Sequence, residues 1–164
     1  MILDLKKIFT EKTGTVSFDY DMDMSSTEVD SVHPFVTPVK VQGSVTAKDG
    51  FALLTAETSF DFSVPCDRCT KQIDRHLHYS FTHTLVRSLE NEDDDRFIEV
   101  PDGQLDLDEL MREDILLELP SKFLCKEDCK GICPKCGKNL NDGPCGCEPQ
   151  NTDSRFEVLK NLIH

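Results

Sequence analysis

The sequence predicts an α+β protein: an antiparallel β-sheet or partly closed barrel that carries two helices. Three observations predict it. Apolar and polar residues alternate through several consecutive segments, a helical repeat with its own start and stop signals follows them, and a shorter helical repeat ends the chain. Alternation at period two marks strands with one buried face, which is how antiparallel sheets read.

The first strand signal, Thr15 to Tyr20, is weak. From Val39 the pattern sharpens, with Val39, Val41, Val45 and Ala47 on one face and Lys40, Gln42, Ser44 and Thr46 on the other. Lys48-Asp49-Gly50 supplies turn residues, and Phe51 to Ala56 then leads into Phe60, Phe62 and Val64, so two strands form a hairpin. A further strand sets Leu77, Tyr79, Phe81 and Leu85 on one face, and Phe97 to Val100 gives another weak signal. Asp106 with Glu109 three residues on resembles a helix cap, and Leu107, Leu110, Met111 and Ile115 follow at helical spacing until Pro120 ends the run. Asp153 and Ser154 precede Phe156, Leu159 and Ile163, an amphipathic helical pattern.

A chain of 164 residues can bury roughly 70% of its unfolded surface. Residues 1–120 are expected to form the β domain with an acidic loop and a helix. Residues 121–164 are expected to form a cysteine-rich segment and terminal helix packed with it as one unit. No apolar run nears the roughly 20 residues that span a bilayer, and Met1 to Lys12 lacks a secretory h-region. These features predict a cytoplasmic protein with no membrane partner, in a compartment that keeps thiols reduced.

Eight cysteines in such a compartment point to metal rather than disulfides. Cys133-Pro-Lys-Cys136-Gly137 has turn formers placed to converge two sulfurs on one ion, and Cys145-Gly-Cys147 completes a local set of four. This is a C-terminal zinc knuckle or ribbon. Cys66-Asp-Arg-Cys69 sits where two strands connect, and with Cys125 and Cys129 it makes a second set of four from distant segments, the alternatives being exchange of members between the sets or cysteines that are merely buried small side chains. Two structural Zn2+ ions per chain are expected, although four thiolates also suit iron. The stretch from Cys125 to Cys147 has too few apolar residues to pack unaided, so metal must replace a core there.

Competing chemistry is poorly supported. Cys129-x-x-x-Cys133-x-x-Cys136 has the spacing of radical S-adenosylmethionine enzymes, but only a short segment follows it. A thioredoxin-type reading of Cys66 and Cys69 needs a helix after the motif, where strands are expected. His76, His78 and His83 read as ordinary surface or core residues beside so many thiolates. No HExxH, GxSxG, Walker or GxGxxG pattern occurs, and a four-sulfur zinc has no open position for catalysis. The chain is therefore expected not to be an enzyme, with redox or nuclease activity the weaker alternative.

The net charge of −13 is concentrated. Residues 90–118 carry thirteen acids against Arg96 and Arg112, whereas 121–141 carry Lys122, Lys126, Lys130, Lys135 and Lys138 against Glu127 and Asp128. A zinc held by four thiolates adds further negative charge. Such a surface repels phosphate and suits basic partners.

Several motifs occur in one order: Val41-Gln-Gly-Ser-Val, Cys66-Asp-Arg-Cys69, Leu105-Asp-Leu-Asp-Glu-Leu, Ile115-Leu-Leu-Glu-Leu-Pro, Cys129-Lys-Gly-Ile-Cys-Pro-Lys-Cys-Gly-Lys-Asn-Leu-Asn, and Asp153-Ser-Arg-Phe-Glu-Val-Leu. Together they resemble the YceD family over nearly the whole chain, with Asp153-Ser-Arg standing where the family usually has Asp-Pro-Arg. The resemblance implies a role in accumulation of large-subunit (23S) ribosomal RNA and biogenesis of that subunit, and transfers no catalytic residues. Combined with the charge, it implies that the acidic residues, among them Glu92, Asp93, Asp94, Asp95, Asp108 and Glu109, face a basic ribosomal protein or RNA-processing factor. The alternative sets RNA directly on Lys126, Lys130, Lys135 and Lys138 of the knuckle.

Overall fold

The structure, a computed structural model, describes residues 1–88 and 96–147. Glu92 to Asp95 and the expected terminal helix at Phe156 to Ile163 lie outside the described residues. The element order is β1 (Ile2–Asp4), α1 (Lys6–Glu11), β2 (Thr15–Met22), β3 (Val39–Lys48), β4 (Phe51–Pro65), β5 (Gln72–Val86), β6 (Phe97–Glu99), β7 (Gln104–Asp106) and α2 (Leu107–Glu118), followed by a 3-10 turn at Leu140–Asp142.

Five strands form one sheet in the order β2-β3-β4-β5-β6, and β1 pairs with β7 in a separate ladder. All pairings are antiparallel except β5 with β6. The expectation of a partly closed barrel is corrected: β2 and β6 stand at opposite edges and do not pair. Closure is unnecessary because α1 packs on β3 and β4, and α2 packs on β5 and β1, to cover one face of the sheet.

Burial follows the alternation in the sequence. Along β4, Ala52, Leu54, Ala56, Thr58, Phe60, Phe62 and Val64 are all buried, while Thr55, Glu57 and Asp61 on the other face are exposed. One strand thus runs the length of the core as its central layer. Val39, Val41 and Val45 of β3 join it. Gly43 interrupts that row for a steric reason: a Cβ there would lie 2.6 Å from the Phe18 ring and 2.1 Å from the Thr55 carbonyl oxygen. The Phe18 ring of β2 packs across the gap instead.

Asp106 opens α2, its carboxylate accepting from the backbone N–H groups of Asp108 and Glu109 at 3.1 and 3.4 Å. Leu107, Met111 and Ile115 face the core, and the helix ends at Glu118, two residues before Pro120. His83 of β5 meets Asp114 of α2 at 2.8 Å and ties helix to sheet. The other helix among the described residues, α1, was not anticipated from the sequence.

An aromatic chain links this core to the cysteine-rich segment. Phe35 meets Phe60 and Phe62 at centroid separations of 5.2 and 5.3 Å, and Phe62 meets Phe123 at 5.3 Å. Phe123 follows α2, so its ring carries the chain down to the far tip of the β4–β5 hairpin. Phe60 is 1% exposed, and truncating a core phenylalanine costs about 3–5 kcal/mol. Phe60→Ala should therefore lower the urea midpoint strongly, whereas Leu117→Ala, at an 85% exposed site, should change stability by no more than about 0.5 kcal/mol.

Candidate metal centres

The tip of the β4–β5 hairpin is a tight knuckle. The Cys66 N–H donates to the Lys71 carbonyl at 2.8 Å, and the Thr70 N–H donates to the Cys66 carbonyl at 2.9 Å, with Thr70 at φ 58°. The same pattern recurs at the second cysteine pair. There the Cys133 N–H donates to Lys138 O at 2.8 Å and the Gly137 N–H to Cys133 O at 2.8 Å, with Gly137 at φ 72°. In each, the turn directs backbone N–H groups back toward the first sulfur, which stabilises a thiolate.

The structure gathers the eight cysteines into two sets of four, one from local spacing and one from distant segments. Cys66, Cys69, Cys125 and Cys129 have sulfurs within 4.8 Å of one another, and so do Cys133, Cys136, Cys145 and Cys147. In the first set Cys66 and Cys129 sulfurs are 3.8 Å apart, and those of Cys69 and Cys125 3.6 Å. Four sulfurs on a tetrahedral zinc at about 2.3 Å have edges of about 3.8 Å, whereas a disulfide needs about 2.05 Å. All eight are free thiols. Both sets could hold a metal ion; bound there, zinc would supply a cross-link between segments, with all four of its positions taken by this chain's sulfurs.

The two residues inside Cys66-Asp-Arg-Cys69 explain how distant segments meet. The Asp67 carboxylate accepts from the Phe123 N–H at 2.8 Å, and the Asp67 N–H donates to Phe123 O at 2.9 Å. Arg68 donates to the Cys129 carbonyl at 2.8 Å, while its own carbonyl accepts from the Ile132 N–H at 3.1 Å. Arg75 adds a bond to Leu124 O at 3.2 Å. Gly131, at φ 74°, passes so close that a Cβ would sit 2.9 Å from Arg68 O. The charged pair between Cys66 and Cys69 was the available signal for the docking contacts.

Residues 54–163 match the family described as large ribosomal RNA subunit accumulation protein YceD. The chain belongs to the YceD family. A Bacillus subtilis (strain 168) protein named YlbN is 26% identical over 159 residues, 90% of this chain and 88% of that protein. The Arabidopsis thaliana chloroplastic large ribosomal RNA subunit accumulation protein YCED homolog 1 is 36% identical over 59 residues, 36% of this chain and 18% of that one. Its Zea mays counterpart is 25% identical over 147 residues, 70% of this chain. This chain spans 50% of the maize protein's length. No solved structure matches.

The remaining predicted site residues of this YceD-family chain are dispersed. Asp108, near the start of α2, is engaged by the Met1 ammonium group, whereas Glu109 is exposed. Lys126, Lys130, Lys135 and Lys138 are all exposed. Lys126 lies 3.7 Å from Asp128, and Lys138 donates to Pro144 O at 3.0 Å. His76 and His78 face outward beside Asp61 and Glu57, at 2.8 and 4.0 Å, away from both cysteine sets. Among the described residues no helix is long and apolar enough to cross a membrane.

Electrostatics divides the first tetrad into two kinds of thiol. Burial of Cys66 opposes ionisation, but N–H groups of Cys125, Cys69 and Arg68 outweigh it and draw the thiol down to about 6. Burial likewise opposes ionisation of Cys129, and there the Asn141 amide and the Gly131 N–H lower it. Burial together with the surrounding sulfurs pushes Cys125 up to about 12. Cys69 is raised too: the Lys71 N–H favours its thiolate, and burial with the Cys66 and Cys129 sulfurs overrides this. Without a cation, Cys66 is the sulfur that ionises most readily, and Cys125 and Cys69 hold their protons.

A thiol protonated at neutral pH must surrender its proton to bind metal, so affinity rises with pH and falls toward acid. Zinc binding to this tetrad near pH 7 should release protons from at least Cys125 and Cys69, so log affinity should climb with pH. Calorimetry in buffers of different ionisation enthalpy measures this, and zero proton release would contradict it.

Proposed function

We propose that the chain is a non-catalytic, cytoplasmic zinc-binding factor that supports 23S rRNA accumulation and large-subunit biogenesis by binding a basic ribosomal or RNA-processing protein. In this reading the two cysteine tetrads each hold one zinc, and residues 121–164 pack on residues 1–120 as one unit. The observation that carries the non-catalytic part is the donor set: four sulfurs per centre leave no coordination position for a substrate or a reactive water. Family membership supplies the ribosomal RNA context, since the relatives carrying the name are described by accumulation of that RNA.

Charge supports the choice of partner. Glu109, Glu113 and Glu118 are exposed on α2, and the acidic stretch continues in sequence through Glu92, Asp93, Asp94 and Asp95. Leu116 and Leu117, 37% and 85% exposed, stand among these helix acids. An apolar pair within an acidic rim suits a basic protein that also offers hydrophobic contact better than it suits a phosphate backbone. The rival reading, RNA on Lys126, Lys130, Lys135 and Lys138, draws on the exposure of those side chains. It is the weaker because Lys126 and Lys138 already have partners on this chain.

Capture of the tagged protein from lysate distinguishes the two. A basic ribosomal or processing protein should remain bound after nuclease treatment and should be lost when Glu109, Glu113 and Glu118 are changed to Gln together with amides at 92–95. Partners that vanish on nuclease treatment, with a gel shift of RNA by the zinc-loaded protein at low salt, would overturn the protein-partner reading.

A further inference from the structure

The turn at Leu140–Asp142 lies between Cys136 and Cys145, inside the loop that the second tetrad closes. From that turn Asn141 reaches into the first tetrad, where its Nδ2 lies 3.3 Å from the Cys129 sulfur. The amide's orientation follows from its other contacts. The Lys130 backbone N–H can only donate, and it points at Asn141 Oδ1 at 2.9 Å; Nδ2 therefore faces Cys129 and also donates to Asn139 Oδ1 at 2.7 Å. The Asn141 N–H donates to that same Asn139 oxygen at 2.9 Å, and the Leu140 N–H to Gly131 O at 2.8 Å. An amide donor aimed at a buried sulfur favours the thiolate, and outer groups of this kind commonly change metal affinity about 10–100-fold.

We propose that Asn141 is a positioning residue that couples the two metal centres, donating a hydrogen bond to the Cys129 thiolate of the first from a turn held in place by the second. This rests on both tetrads holding zinc. Loading the Cys133, Cys136, Cys145 and Cys147 centre closes the loop that presents Asn141, so it raises the affinity of the Cys66, Cys69, Cys125 and Cys129 centre. By linkage the first centre strengthens the second to the same degree. The first centre anchors the segment through Cys129, and Arg68 and Gly131 fix the adjoining backbone. The second therefore folds against a surface that the first provides.

The test uses zinc-loaded full-length protein, a graded chelator, and alkylation of released thiols read by mass spectrometry for each cysteine. Asn141→Asp is the decisive variant, because it keeps the shape and the acceptor for Lys130 but replaces the donor with a carboxylate oxygen beside the sulfur. Cys66 and Cys69 should become reactive at about 10–100-fold less chelator, with the far-UV spectrum unchanged. Cys136→Ser should produce a shift of the same order at Cys66 and Cys69, and Asn141→Asp added to it should shift them little further. Unchanged release in Asn141→Asp, or effects of the two substitutions that add fully, would overturn the coupling while leaving the zinc reading intact. Wild-type protein that takes up no zinc would overturn both.

Discussion

Four sulfurs within 4.8 Å of one another constitute the constraint on which the lower half of this molecule depends. As thiols and thiolates they form an unfavourable cluster, in which ionisation of one sulfur opposes ionisation of the next. A divalent cation reverses that sign and turns mutual repulsion into a cross-link. The cross-link would join the tip of the β4–β5 hairpin to the segment after α2, two places separated by most of the sheet's length in sequence. The Asp67 carboxylate accepts from that segment and Arg68 and Arg75 donate to it, but these side chains lie near the surface, where each bond is worth only about 1 kcal/mol.

The upper half has a different basis. There β4 supplies a continuous buried row from Ala52 to Val64, and α1 and α2 cover it on one side. Phe62 and Phe123 connect the halves, because the same ring contact that ends the aromatic core delivers Cys125 to the hairpin tip. The hydrophobic core and the first cysteine tetrad thus share the β4–β5 strand pair as their frame. Among the described residues, this arrangement leaves side chains of the opposite sheet face, the solvent side of α2 and the knuckle surface exposed.

Much of this was legible in the sequence, for physical reasons that differ by element. Long strands with one buried face announce themselves by alternation, and β3, β4 and β5 fall where Val39, Phe51 and Leu77 mark them. The capping carboxylate of Asp106 and the stop at Pro120 bracket α2 in the same way. β1, β7 and α1 are too short to show a period, since three or six residues fit any pattern. Alternation also reports that a face is buried without reporting whether the edges meet, so an open sheet and a partly closed barrel read alike. The parallel pairing of β6 with β5 depends on a crossover whose path no local pattern encodes.

The cysteine sets divide similarly. Cys133 to Gly137 is readable because glycine occupies the left-handed position that closes the knuckle. At Cys66 the equivalent position is Thr70, φ 58°, a β-branched residue that rarely adopts this conformation, and the identical hydrogen-bond pattern stayed hidden. Asp67 and Arg68 stood out only as a charged pair between two cysteines and Asn141 not at all, since their roles arise only when remote backbone arrives beside them.

X-ray absorption at the zinc edge of the protein as purified reads the atoms that surround each bound ion. Two zinc ions per chain are expected, each surrounded by four sulfurs at about 2.3 Å with no light-atom ligand. A shell containing nitrogen or oxygen, or cysteines joined as disulfides at about 2.05 Å with no metal present, would contradict it.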